Sequence, residues 1–213
     1  MYYLKVQDLL ELMMTVINVK KILYIVKYMT NKKLVDMLKS YALSDADLQY
    51  ILNPDTKIHT YDQLYNINHF DELLDSLGRC IILYLTENGK TGHWISVIKK
   101  GNTVEFFDPY GYFPDTQGDN LNTPDEINKE FGQDKPRLLE LIYKAGYNLE
   151  YNNKPVQKER MDIATCGRHT ASRLLFYKLS LDQYHDLMNK LKDEQNKDAD
   201  DVVVNLTYEI LKK

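Results

Sequence analysis

An α+β fold, with a mostly antiparallel sheet packed on a helix that starts at Cys166, follows from three features of this 213-residue sequence. Cys80 to Thr86 is a nearly continuous apolar run of strand length. Two further apolar segments, Trp94–Ile98 and Val104–Phe107, flank Lys99-Lys100-Gly101-Asn102, the composition of a hairpin turn. Cys166 then opens a segment whose Ala171, Leu174, Leu175 and Leu179 recur at helical spacing.

The remaining elements follow in chain order. Residues 7–42 have helical periodicity through Leu9, Leu10, Met13, Val16 and Ile17, with Thr30 as the cap of a second piece carrying Leu34, Val35 and Leu38. Ser44 is an N-cap with acidic residues in the turn that follows it. The polar stretch 53–68 is expected to run over the surface, and Glu87-Asn88-Gly89-Lys90 to turn. Residues 114–134, rich in Asp, Asn, Gly and Thr, are expected to form a loop or insertion. A helix is expected from Pro136 to Ala145, stopped by Gly146, and a short strand over Tyr147–Tyr151. Ser180-Leu181-Asp182-Gln183 is a capping box for another helix, and Val202–Leu211 is a final one. The division is a basic helical extension, 1–42, followed by a domain over 43–213.

Composition narrows the class. Hydrophobic residues at 44% and charged residues at 27% describe a globular chain. The formal net charge of −4 conceals an asymmetry, because residues 1–40 carry seven lysines against three acidic residues. A basic arm on an acidic body offers contact with DNA, a membrane surface or an acidic partner, against the plainer reading of a solvated lysine face. Two cysteines, Cys80 and Cys166, give no disulfide framework and imply a reducing, intracellular setting. Leu12 to Val19 is shorter than the ~20 residues a bilayer span requires, and no signal peptide is expected. Scattered histidines and distant cysteines supply no zinc spacing, so neither a metal nor another cofactor is expected. No Gly-rich phosphate loop is present.

The chemistry-bearing residues lie at element ends. His93 enters one strand of the hairpin and Asp108 leaves its partner, so an antiparallel pairing brings them to the same end. Cys166 is at a helix N-terminus, where unpaired N–H groups favour a thiolate over the thiol of ordinary pKa ~8.5. An imidazolium at His93 would add to this, and Asp108 would orient the ring. Gly167 lets backbone approach a reacting carbonyl, and the Cys166 N–H can donate to an oxyanion. Taken singly, each residue has a plain reading: a packed cysteine, a core histidine, a β-turn at Asp-Pro-Tyr-Gly. Taken together they form the set that cysteine catalysis needs. His169, three residues after Cys166, is the rival base but fits a surface or packing histidine better. His59 and His69 have no carboxylate placed beside them by sequence.

Gly92-His93-Trp94, then Asp108-Pro109-Tyr110-Gly111, then Cys166-Gly167, resembles the adenain and SUMO-protease clan of cysteine proteases over roughly residues 80–180. That resemblance implies a papain-like core in permuted His-Asp-Cys order, with 43–213 as the protease domain. It also implies that Trp94 and Gly167 border a narrow substrate channel and that Gln157, nine residues before Cys166, lines the oxyanion hole. The clan's spacing from Gln to Cys is shorter, so Lys158–Thr165 must bulge. The implied activity is endoproteolysis after small residues, maturing viral capsid or core proteins in the virion or host cytoplasm. Residues 1–40 would be the contact for DNA, a peptide activator or a membrane. Removal of ubiquitin-like modifiers at a diglycine, acetyl transfer by a same-clan enzyme, and non-catalytic binding are the alternatives.

Overall fold

The computed structural model describes residues 32–86 and 91–211. Of the helical stretch expected over 7–42, α1 (Lys32–Lys39) is described, while the part before residue 32, the Thr30 cap and the Glu87–Lys90 turn lie outside the described residues. Five strands form one sheet in the order β1 (Lys57–Thr60), β2 (Arg79–Thr86), β3 (Thr91–Lys100), β4 (Thr103–Phe107) and β5 (Asn148–Tyr151). The central strand β3 is antiparallel to both of its neighbours, β2 and β4. Both outer strands, however, are parallel to their neighbours. The sheet is therefore mixed: its long central pairings are antiparallel, as the sequence suggested, and its two short edge pairings are parallel. Each parallel pairing needs a crossover, supplied by residues 61–78 between β1 and β2 and by residues 108–147 between β4 and β5.

Those crossovers correct two readings. The stretch 53–68 contains β1 and a 3-10 turn, Tyr61–Asn66, whose Tyr61 and Leu64 are fully buried. Its apolar residues are too sparse for a periodic signal, yet Tyr61 and Leu64 join the core and Ile67 packs against it. The stretch 114–134 folds as two short helices, α3 (Gln117–Asn120) and α4 (Asp125–Glu130). These precede α5 (Arg137–Lys144), which Gly146 ends in the left-handed conformation.

The sheet is covered on both faces, which explains why β2 is an uninterrupted apolar run rather than an alternating one. Cys80, Ile82, Tyr84, Ile95, Val97, Val104 and Phe106 pack with the Tyr61 turn and with Leu138, Leu141 and Ile142 of α5. Ile81, Trp94 and Ile98 pack on the other side against α2 (Asp45–Leu52) and α6 (Cys166–Leu175). The expected capping boxes are present at Ser44, starting α2, and at Ser180, starting α7 (Leu181–Gln195). Leu181, Tyr184, Met188 and Leu191 of α7 pack with Val202, Val203 and Leu206 of the last helix, α8 (Ala199–Leu211).

Inside this apolar layer Arg173 of α6 meets Glu105 of β4 through Nε–Oε1 at 2.6 Å and Nη2–Oε2 at 2.7 Å. Arg173 also donates to the Phe176 and Leu179 carbonyls at 2.8 Å each, and Lys100 Nζ reaches Glu105 Oε2 at 3.1 Å. The fork ties α6 to the sheet at one fixed register. Arg173→Met is expected to leave Glu105 buried with only Lys100 for company, and to cost about 3–5 kcal/mol in urea unfolding. Adding Glu105→Met should restore most of that loss.

Candidate active site

The β3–β4 register pairs Ser96 with Phe107. Asp108 therefore lies just past the last pair, at the end of the hairpin that also carries His93. Its carboxylate is fully buried, and His93 Nε2 stands 2.8 Å from Oδ1. A carboxylate only accepts, so Nε2 carries the proton and Nδ1 is the nitrogen left for the thiol. Oδ1 also accepts from the Tyr110 amide at 2.7 Å, and Oδ2 accepts from Gln117 Nε2 at 2.9 Å. The Asn152 side chain accepts from the Asp108 amide at 2.8 Å and donates to the Asp108 carbonyl at 2.6 Å. The Tyr110 ring stacks on His93 with centroids 4.7 Å apart and planes inclined by 11°.

Cys166 begins α6, and its thiol forms a hydrogen bond with His93. Burial alone would push this thiol up, but His93 and the N–H groups of Trp94 and Gly167 outweigh it and hold the thiol below its ordinary value. Burial alone would likewise lower His93. The Asp108 carboxylate and the Cys166 sulfur reverse that effect and raise the imidazole to about 10. Both shifts act in the direction that favours a thiolate beside an imidazolium. Cys80 provides the internal contrast, because burial in β2 pushes its thiol well up with only a distant carboxylate and lysine as further influences.

Trp94 is packed against the start of α6. Its Nε1 donates to the Leu43 carbonyl at 3.1 Å. A Cβ on Gly167 would come within 3.1 Å of Trp94 Cδ1 and 3.2 Å of Leu43 Cβ. That close approach is what the glycine permits. Gln157 is buried beside the Asp-Pro-Tyr turn, its backbone donating to the Pro109 carbonyl at 3.0 Å and its Nε2 to Tyr110 Oη at 3.1 Å. Its Oε1 is buried with no hydrogen-bond partner. The segment from Lys158 to Thr165 loops outward, leaving Met161 fully exposed, and returns where the Ala164 amide donates to the Lys39 carbonyl at 2.7 Å.

The rival His169 is neither at the surface nor beside the thiol. It is fully buried, with Nε2 3.1 Å from Asp200 Oδ1, at the start of α8. His59 bonds the Leu73 carbonyl at 3.0 Å and is likewise spent on structure. Sequence reasoning missed Tyr110 as a stacking partner, Gln117 as a holder of the Asp108 carboxylate, Asn152 as a clamp on the Asp108 backbone, and Asp200 as the partner of His169. Gln117 and Asn152 lie in polar segments with no periodicity, so nothing local marked them. Tyr110 was visible in the motif, but its ring contact depends on the turn geometry. Among the described residues, no cluster of three or more His, Cys, Asp or Glu could hold a metal, and no helix is long and apolar enough to cross a membrane.

No family model matches the chain. "Uncharacterized protein V9" of Sputnik virophage is 29% identical over 167 residues, covering 78% of this chain and 94% of the relative. Two solved structures are similar at low identity. The central domain of the uncharacterized Lpg1148 protein from Legionella pneumophila has a TM-score of 0.41 at 16% identity, over 81% of this chain and 99% of that one. The SUMO protease Ulp1 with its catalytic cysteine oxidized to a sulfinic acid has a TM-score of 0.34 at 11% identity, over 91% and 94%.

The shifts at Cys166 and His93 set the pH behaviour of the thiol. An ordinary thiol loses nucleophile tenfold per unit below its pKa of ~8.5. With its own value lowered, Cys166 should keep its iodoacetamide reactivity to lower pH than an ordinary thiol, while the imidazolium beside it persists up to about 10. Cys80, shifted upward, should stay unlabelled across the same range. Mass spectrometry of peptides labelled between pH 5.5 and 9 reads both. Faster labelling of Cys80 would place the reactive thiol elsewhere.

Proposed function

We propose that the chain is a cysteine endopeptidase in which Cys166 is the nucleophile, His93 the general acid–base and Asp108 the carboxylate that orients the base. The observation that carries this reading is the unbroken run of hydrogen bonds from Asp108 through His93 to the Cys166 thiol at a helix N-terminus. The chemistry is papain-like in the order His, Asp, Cys. The thiolate attacks the scissile carbonyl carbon, and the C=O pair moves onto oxygen. His93 gives its Nδ1 proton to the departing amine as the C–N bond breaks. Water then attacks the thioester carbonyl and returns a proton to His93. The C–S bond breaks, releasing the carboxylic acid and the thiolate.

Gln157 is the proposed oxyanion donor. Reversing its amide, an assignment the network alone decides, would let Oε1 accept from Tyr110 Oη and turn Nε2 toward the site. The Cys166 amide is the second donor. Trp94, close against Gly167, supports a narrow channel suited to small residues before the cut. The virophage relative supports a viral setting, in which capsid or core proteins are the substrates and the virion and host cytoplasm the places of action. The lysines of residues 1–40 fit contact with DNA, a peptide activator or a membrane, outside the chemistry itself.

His93→Ala is expected to lower kcat/KM at least ~10²-fold, and Asp108→Ala by less, because a weakened base still transfers protons. Cleavage of a peptide library, with new termini read by mass spectrometry, should show Gly or Ala before the cut. Full activity in the His93 variant would refute the assignment, and preference for a large residue would refute the narrow channel.

A further inference from the structure

The start of α8 gathers the elements around the nucleophile through three carboxylates, of which Asp200 is buried. Asp200 is fully buried, as are Thr165 and His169. Its Oδ1 accepts from Thr165 Oγ1 at 2.5 Å and from His169 Nε2 at 3.1 Å, and its Oδ2 accepts from the Lys158 amide at 3.3 Å. The neighbouring Asp201 pairs with Lys39 at 2.6 Å, and Asp198 pairs with Lys158 at 2.6 Å. Asp200 thus holds the residue immediately before Cys166, the helix turn after it and the loop that follows Gln157.

Thr165 occupies the N-cap position of α6, yet its side chain makes no capping hydrogen bond to the helix. A threonine there ordinarily accepts from an N–H two or three residues on. Here the hydroxyl donates to Asp200 instead, and the Gly167 N–H is spent on the Cys166 sulfur. The side chain that would have competed with the thiolate for the helix N-terminus is turned away from it. Near-attack geometry tolerates little error, since a misplacement of about 1 Å can cost ~10²-fold in rate. The backbone one residue from the sulfur is therefore a strong lever on the reaction.

We infer that Asp200, acting through the Thr165 hydroxyl, is a positioning residue that fixes the Cys166 sulfur against His93 and its N–H donors. This rests on the cysteine-nucleophile reading, and it gives the C-terminal helix a part in catalysis though it contributes no reacting atom. His169 serves as the second anchor of the same carboxylate. Its Nδ1 is buried without a partner, a cost that the Asp200 bond offsets.

The test is the second-order rate constant for iodoacetamide at Cys166 in the full chain at pH 7.5, divided by the folded fraction from circular dichroism. Thr165→Val removes the hydroxyl at nearly constant volume and is expected to slow the reaction at least about fivefold, with kcat for peptide cleavage falling and KM little changed. Thr165→Ser restores the hydroxyl and should recover most of the rate. Asp200→Asn retains the volume of the carboxylate and should slow the reaction at least about threefold, which provides the reading if Thr165→Val does not fold. An unchanged rate in either folded variant, or a Ser variant as slow as the Val variant, overturns the inference. A wild-type Cys166 no more reactive than an unstructured cysteine peptide overturns it together with the nucleophile assignment. A fast wild-type thiol slowed by Thr165→Val, in a protein that cleaves no peptide, upholds the positioning role and refutes only proteolysis.

Discussion

The Asp108 carboxylate is buried to zero exposure, and an ionised carboxylate out of water is tolerable only when its acceptor sites are filled. That demand organises the site. The backbone turn at Pro109–Tyr110 supplies one donor, α3 brings Gln117 as another, and His93 fills the remaining direction. Asn152, just past β5, clamps the backbone on both sides of the same residue. With its ring bonded to Asp108 at one nitrogen and stacked on Tyr110, His93 has one orientation available. Its other nitrogen faces the start of α6. The charge distribution follows from this: a proton retained on the imidazole, and a thiol held below its ordinary value despite burial.

The rest of the fold serves that geometry by fixing α6. Arg173 pins the helix's far end to β4 through Glu105, and Thr170 Oγ1 donates to the Trp94 carbonyl at 3.0 Å midway along. At the near end, Asp200 holds Thr165, and Leu43 with Trp94 closes over Gly167. Each tie joins α6 to a different element, so a rigid helix carries positional information from the sheet, from α8 and from the segment before α2 to a single sulfur atom. Buried ion pairs of this kind add less stability than their Coulomb attraction suggests, but they penalise every alternative register severely.

Much of this was legible in the sequence, because the relevant signals were local. The hairpin over 94–107 and the helix at Cys166 follow from periodicity and turn chemistry, and the Ser44 and Ser180 capping boxes from four-residue patterns. What escaped were features made by distant pairing. Strand β1 is four residues long and acquires its identity only by lying parallel to β2. Tyr61 and Leu64, isolated among polar neighbours, are fully buried because a crossover brings them onto the sheet. Gln117, Asn152 and Asp200 are polar residues whose roles exist only in the company of Asp108, Thr165 and His169. A buried polar residue looks like a loop residue until its partner is known.

If Cys166 is the nucleophile we propose, Asp108 keeps His93 protonated beside a Cys166 thiolate. Nitrogen-15 NMR of the histidine rings in the wild-type protein tests it most directly. At pH 8 His93 should show two protonated ring nitrogens and titrate near 10. The half-buried His59 and His185, which burial lowers, should be neutral there. A His93 ring already neutral at pH 8 would contradict the account, since nothing would then hold the thiol in its reactive form.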